Sequence, residues 1–148
     1  EINVSKDLLA VLSPVLSALF FGKFEENSKN EIELCDIVHQ EFVDLLNLMY
    51  PSSFEITARN VHHILKLADR FQVETVIERV VVYLMTTDKF TTVAKLKIAE
   101  QYRLHELMDH CVNSFTTYDQ VKAVKETPEF KSFSDSLART ILDRILEF

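Results

Sequence analysis

The chain contains a single glycine, Gly22, among its 148 residues, together with three prolines. Sheet folds reverse direction through many tight turns, and those turns draw on glycine, proline and small polar residues. A chain so poor in glycine and proline is not an all-β protein and must be built mostly from helices. The local signals agree. Ser13 precedes Pro14, a helix N-cap followed by proline at the first helical position, where its missing N–H costs nothing. Val15, Ala18 and Leu19 then form an apolar stripe, and Gly22 stands where a left-handed cap would close the helix. Beyond it Phe24 is flanked by Lys23, Glu25, Glu26, Asn27, Ser28 and Lys29. A large ring in such a stretch either folds back on a core or serves a partner.

Residues 31–35 alternate and predict a short strand, and Glu1 to Val4 read as the end of another. The fold class expected is therefore mostly α with a small β-sheet. Most of the rest follows a helical period. Phe42, Leu45, Leu46 and Met49 lie on one face. Thr57 can cap a helix with the face Val61, Ile64, Leu65 and Ala68, and the next face is Val73, Val76, Ile77, Val80 and Leu84. The run Val80-Val81-Val82-Tyr83 favours strand locally, but its wider window has the helical period. An internal repeat supports helix: Lys66-Leu67-Ala68-Asp69-Arg70-Phe71-Gln72-Val73 returns 31 residues later as Lys97-Ile98-Ala99-Glu100-Gln101-Tyr102-Arg103-Leu104. Two such units predict two stacked helical hairpins, each turning near its Phe or Tyr. The outgoing helix of the second presents Leu104, Leu107, Met108, Cys111, Val112 and Phe115, too apolar a face to stand in water. Tyr118 to Ser132 is less regular, Thr127-Pro128 interrupts any helix there, and Ser134 caps a last helix striped by Leu137, Ile141, Leu142, Ile145 and Leu146. A soft boundary falls near Thr86–Asp88, between the repeat units.

Much chemistry is excluded. One glycine leaves no phosphate-binding loop. The net charge of −7 and the scattered Lys and Arg do not suit a nucleic-acid partner. Adjacent His62 and His63 point about 100° apart on a helix, His105 and His110 diverge, and Cys111 joins His110 only in sequence, so no metal site is expected. Ser13 is better explained as a cap than as a nucleophile, and Glu25-Glu26 as solvated carboxylates. The chain is expected not to be an enzyme and to need no cofactor. Cys35 and Cys111 both read as buried, reduced thiols, which implies an intracellular protein, cytoplasmic or nuclear. No apolar run approaches the ~18 residues of a membrane span, and no signal peptide is visible, so no membrane partner is expected. The chain does not begin with Met and reads as a piece of something longer.

The first half resembles the BTB/POZ domain, a protein-interaction fold. The matching pieces are Lys6-Asp7-Leu8-Leu9-Ala10, Leu12-Ser13-Pro14-Val15-Leu16, Phe24-Glu25-Glu26-Asn27, Glu31-Ile32-Glu33-Leu34, Asp36-Ile37, Phe42 and Leu48-Met49-Tyr50. Their order and spacing carry the likeness from about Val4 to Leu84, and it continues more weakly to the end. The resemblance implies a BTB/POZ domain at residues 1–87, N-terminally incomplete, and a helical extension at 88–148 similar to a 3-box or the start of a BACK domain. The run Thr127-Pro128-Glu129-Phe130-Lys131-Ser132 resembles BTB proteins that also carry a MATH domain. The family's leading dimerisation helix and Asp-bearing hairpin have no counterpart before Glu1, and Ser5 stands where the family favours His. The resemblance therefore implies a monomer or weak dimer for this chain, with self-association possible in a longer protein. In cullin-binding members, a hydrophobic residue followed two positions later by Glu grips the N-terminal helices of the scaffold. Phe24 and Glu26 match that pattern, and Phe71 lies on a surface the family also uses; against this, Tyr102 holds the equivalent place in the second repeat, which points to packing. The function implied is a substrate adaptor for a cullin-3-class ubiquitin ligase, binding the cullin-3 N-terminal domain. The alternative is a homodimerising scaffold in transcriptional repression. A channel-associated tetramerisation domain is a third, and the lack of metal-ligand spacing in the C-terminal half counts against its zinc-linked form.

Overall fold

The computed structural model of the chain describes residues 2–22 and 32–144. Among these the regular structure is helical throughout: α1 (Lys6–Leu12), α2 (Pro14–Phe21), α3 (His39–Met49), α4 (Val61–Phe71), α5 (Glu74–Thr86), α6 (Thr92–Gln101), α7 (His105–Asn113), α8 (Tyr118–Lys125), a 3₁₀ turn (Pro128–Ser132) and α9 (Asp135–Asp143). The chain divides into two compact units, Glu1–Val80 and Val81–Phe148.

The expected small sheet is absent from the described residues. Ile32 to Leu34 run without a ladder into a turn at Cys35-Asp36, and Ile2 to Val4 form no strand. The alternation has another cause. Ile32 and Leu34 are half-buried and share a cavity with Ile2 and Val4, while Glu33 is exposed. Extended chain laid across a core shows a period of two whether or not a neighbouring strand pairs with it. Cys35 follows the outward phase of that alternation and is exposed, so only Cys111 is a buried thiol.

In the first unit, Ser5 and Ser13 cap α1 and α2, accepting from the backbone N–H of Leu8 (3.4 Å) and Leu16 (3.0 Å). The buried residue of α2 is Leu16 (1% exposed), and Ala18 of the expected stripe is exposed. Nearly every position from Val15 to Phe21 is apolar, so periodicity cannot choose the inward face. The cap and its tertiary partner choose it. Gly22 closes α2 in extended conformation (φ −67°, ψ 175°), not left-handed. α3 buries Phe42, Leu45, Leu46, Leu48 and Met49 against α4, which buries Val61, Ile64, Leu65, Leu67, Ala68 and Phe71. Thr57 closes the turn before α4 through its carbonyl, and the first regular residue is Val61. Val80 to Tyr83 are helical, within α5.

The left-handed caps lie at the repeat. Gln72 (φ 52°) follows Phe71, and Arg103 (φ 56°), 31 residues later, follows Tyr102. At the first, the N–H of Val73 bonds the Ala68 carbonyl at 2.8 Å; at the second, the N–H of Leu104 bonds the Ala99 carbonyl at 2.8 Å. These are the same helix-ending bonds, so the sequence repeat is a repeat of backbone geometry.

In the second unit, α6 and α7 pack together and bury Leu96, Ile98, Ala99, Leu104, Leu107, Cys111, Val112 and Phe115. Thr117 and Gln120 form a reciprocal capping box at the start of α8. The helix stops at Lys125, two residues before Thr127-Pro128. Ser134 caps α9, accepting from the Leu137 N–H at 3.3 Å, and Leu137 and Ile141 are its buried stripe; Ile145 and Leu146 lie outside the described residues.

Candidate functional site

Ser13 is the one fully buried polar residue among those described (0% exposed). Its hydroxyl works in both directions. It accepts from the Leu16 N–H as the cap of α2 and donates to the carbonyl of Phe71, the last residue of α4. A buried carbonyl at a helix end has no intrahelical partner, and this bond supplies one while fixing the start of α2 to the end of α4. The Phe71 ring is 3% exposed and packs on Phe42 of α3, with ring centroids 5.6 Å apart. Next to it, the exposed Arg70 lays its guanidinium 5.9 Å from the Phe71 ring centroid, and its Nη2 donates to the carbonyl of Cys35 at 3.3 Å. One corner of α4 therefore gathers α2, α3 and the stretch leading into α3.

Of the three candidate contact residues, Phe71 is buried at this corner, with its neighbours Arg70 and Gln72 exposed. Phe24 and Glu26 lie outside the described residues, between Gly22 and Ile32.

Behind the corner, a cavity of about 570 Å³ is lined by Leu9, Leu16, Leu19, Phe20, Ile37 and Phe42, among others. On the side of α3 and α4, His63 Nε2 lies 2.8 Å from Asp44 Oδ2, and Gln40 donates to Asp44 Oδ1 at 3.0 Å. Leu8 (37%), Val11 (83%) and Phe21 (58%) are exposed apolar residues of α1 and α2.

Chemistry that needs a prepared group finds little here. Among the described residues, no three His, Cys, Asp or Glu side chains gather as a metal site. Burial pushes the Cys111 thiol up to about 11, against a smaller lowering by Lys95, which makes it an inert core group. No described helix is long and apolar enough to cross a membrane.

The family model of the BTB/POZ domain matches residues 1–88. Across 99% of the chain, the sequence is 37% identical to BTB and MATH domain-containing protein 38 of Caenorhabditis elegans, of which it covers 38%. Over the same share it is 36% identical to BTB and MATH domain-containing protein 36 of that organism, of which it covers 46%. Over 47% of the chain it is 36% identical to Kelch-like protein 40 of Xenopus tropicalis, covering 11% of that protein. The chain thus spans less than half the length of these relatives.

Proposed function

Because the chain belongs to the BTB/POZ domain family, we propose that it is a protein-interaction adaptor that recruits a cullin-3-class scaffold, while a domain outside residues 1–148 brings the substrate for ubiquitination. The observation that supports this reading is the reach of the match. The relatives named for BTB and MATH domains align across both compact units, so the second unit accompanies the first rather than being a chance neighbour. An adaptor of this kind makes and breaks no bonds. Its work is to hold two partners within reach of each other.

In the proposed grip, Phe24 is the anchor that fills a pocket on the cullin N-terminal domain and Glu26 fixes the register. Interface energy concentrates in a few aromatic anchors, and a neighbouring charge selects orientation. Phe71 contributes by fixing the corner of α4 through Phe42 and Ser13. Residues 88–148, the 3-box or BACK-like extension, widen the contact. A second reading, a homodimerising scaffold in transcriptional repression, draws on the exposed Leu8, Val11 and Phe21. Paired titrations with purified cullin-3 N-terminal domain separate the two. Phe24→Ala is expected to weaken binding by ~2 kcal/mol or more with the melting temperature nearly unchanged. Unchanged affinity together with concentration-dependent dimerisation of the chain would favour the scaffold.

A further inference from the structure

Lys and Arg are scattered along the sequence, but one helix face gathers several of them. From Arg59 to Arg70 the chain carries three Lys or Arg residues and one acidic residue, Asp69, whereas over its whole length acidic residues outnumber basic ones by 23 to 16. α4 is buried along one side by Val61, Ile64, Leu65, Leu67, Ala68 and Phe71. His62, Lys66 and Arg70 are the exposed residues of its other side. A step of four residues advances about 40° round a helix and about 6 Å along it, so these three form one row about 12 Å long. Arg59, exposed in the turn before α4, continues the row. That turn is held by Asn60, whose Oδ1 accepts from the Thr57 N–H at 2.7 Å and whose Nδ2 donates to the Glu55 carbonyl at 2.9 Å. The positive charges are not spent inside the fold. Among the described residues, no carboxylate pairs with Arg59, Lys66 or Arg70. The Asp44 carboxylate of α3 is taken by His63 at 2.8 Å and Gln40 at 3.0 Å. Arg70 lies by the Phe71 ring and donates to the Cys35 carbonyl, and neither contact cancels a charge.

We infer that the outer face of α4 is a docking surface for an extended, acidic segment of a partner protein, with Lys66 at its centre and Arg59, His62 and Arg70 around it. Side chains at alternate positions of an extended chain lie on one side, about 6.7 Å apart, close to the rise of about 6 Å between successive members of the row. An acidic residue at every second position therefore sets carboxylates opposite His62, Lys66 and Arg70. The row is one helix wide, which suits a short peptide. A nucleic-acid duplex carries one charge per about 1.7 Å and would also meet the acidic excess of the rest of the chain. Exposed charge pairs contribute little each, so the contact is weak alone and selects partner and register. The inference does not depend on the proposed role of Phe24 and Glu26.

The test is fluorescence anisotropy at about 50 mM salt, with the whole chain titrated into a labelled seven-residue peptide in which four glutamates alternate with serine. Saturable binding is expected, weakened at least about fivefold in Lys66→Glu and in Arg59→Glu, with a similar loss when salt is raised to about 300 mM. Both variants change exposed side chains and should keep the melting temperature. Lys122→Glu, the same charge change at an exposed position of α8, should leave binding unaltered. No binding with the peptide at about 1 mM overturns the inference. An equal loss in Lys122→Glu overturns it too, because the attraction then belongs to the net charge of the chain. Equal binding of a peptide with glutamine in place of glutamate shows that charge does not hold the contact, and the inference fails. Tighter binding of a short DNA duplex than of the peptide would assign the face to nucleic acid instead. A parallel titration with cullin-3 N-terminal domain completes the test. Unchanged cullin affinity in Lys66→Glu is expected, and a loss of about fivefold or more would make the face part of the cullin contact and overturn its separate role.

Discussion

Replacing Ser13 by Ala removes one oxygen and leaves two backbone groups without their partner. The Leu16 N–H loses its cap acceptor, and the Phe71 carbonyl loses its donor, in a site with 0% exposure. Loss of an N-cap costs ~1 kcal/mol, and a buried acceptor left unpaired costs roughly 1–3 kcal/mol more. The first unit should therefore lose about 2–4 kcal/mol. In urea that is a midpoint lower by roughly 1–2 M, with the slope of the transition unchanged. Hydrogen exchange supplies the local readout: the Leu16 amide should lose its protection first. Ser13→Gly should lose less than Ser13→Ala, roughly 1–3 kcal/mol, because glycine replaces the cap at small cost but cannot donate to Phe71. A loss below about 0.5 kcal/mol for both variants, typical of an ordinary surface substitution, would refute the two-way role of this hydroxyl.

Leu107, fully buried in α7, should cost roughly 2–5 kcal/mol of stability when truncated to Ala, measured by denaturant unfolding; a loss under about 1 kcal/mol would mean that the face it belongs to is not core. Gln72→Gly and Arg103→Gly should each leave stability unchanged or raise it by up to ~1 kcal/mol, since glycine meets no Cβ clash in the left-handed cap; a clear loss at either would show that the side chain supplies a bond worth more than the strain. At pH 8 a thiol reagent should label Cys35 in the native chain and reach Cys111 only on unfolding. Folded Cys111 holds its proton to about pH 11 against an ordinary value of 9.0, so its contribution is complete below pH 9 and is lost as pH rises toward 11. Cys111→Ala should flatten that part of the stability profile, and an identical slope in the variant would refute the assignment.

Helix ends were legible where a side chain does the capping. Ser13 with Pro14, and Ser134, could be read because an N-cap needs an oxygen at one place, whatever the rest of the fold does. The second bond of Ser13 could not. Its partner is a main-chain carbonyl 58 positions away, and carbonyls leave no trace in a sequence. The left-handed caps show a related limit. Gln72 and Arg103 carry no glycine signal, while Gly22, the obvious candidate, is extended. The repeat did carry the information, since Val73 and Leu104 are the apolar residues that follow each cap. Helix α8 was missed: Tyr118 to Ser132 looked irregular, although Thr117 followed three residues later by Gln120 carries the capping-box signal that starts the helix. The sheet failed for a different reason. Alternation at residues 32–35 records burial, with Ile32 and Leu34 half-buried and Glu33 and Cys35 exposed, and it says nothing about whether a second strand lies alongside. Of the candidate contacts, Phe71 was named for a surface that the resembling family uses, while its place at the repeat turn pointed to packing; its ring is buried at a corner where α2, α3 and α4 meet.

The central claim is that residues 1–148 bind a cullin scaffold. Isothermal titration of the purified chain with cullin-3 N-terminal domain tests it most directly. Saturable binding of one scaffold domain per chain is expected, with a dissociation constant of about 1 µM or tighter, equivalent to roughly −8 kcal/mol. Absence of binding for a folded chain, with both partners at about 100 µM, would contradict it.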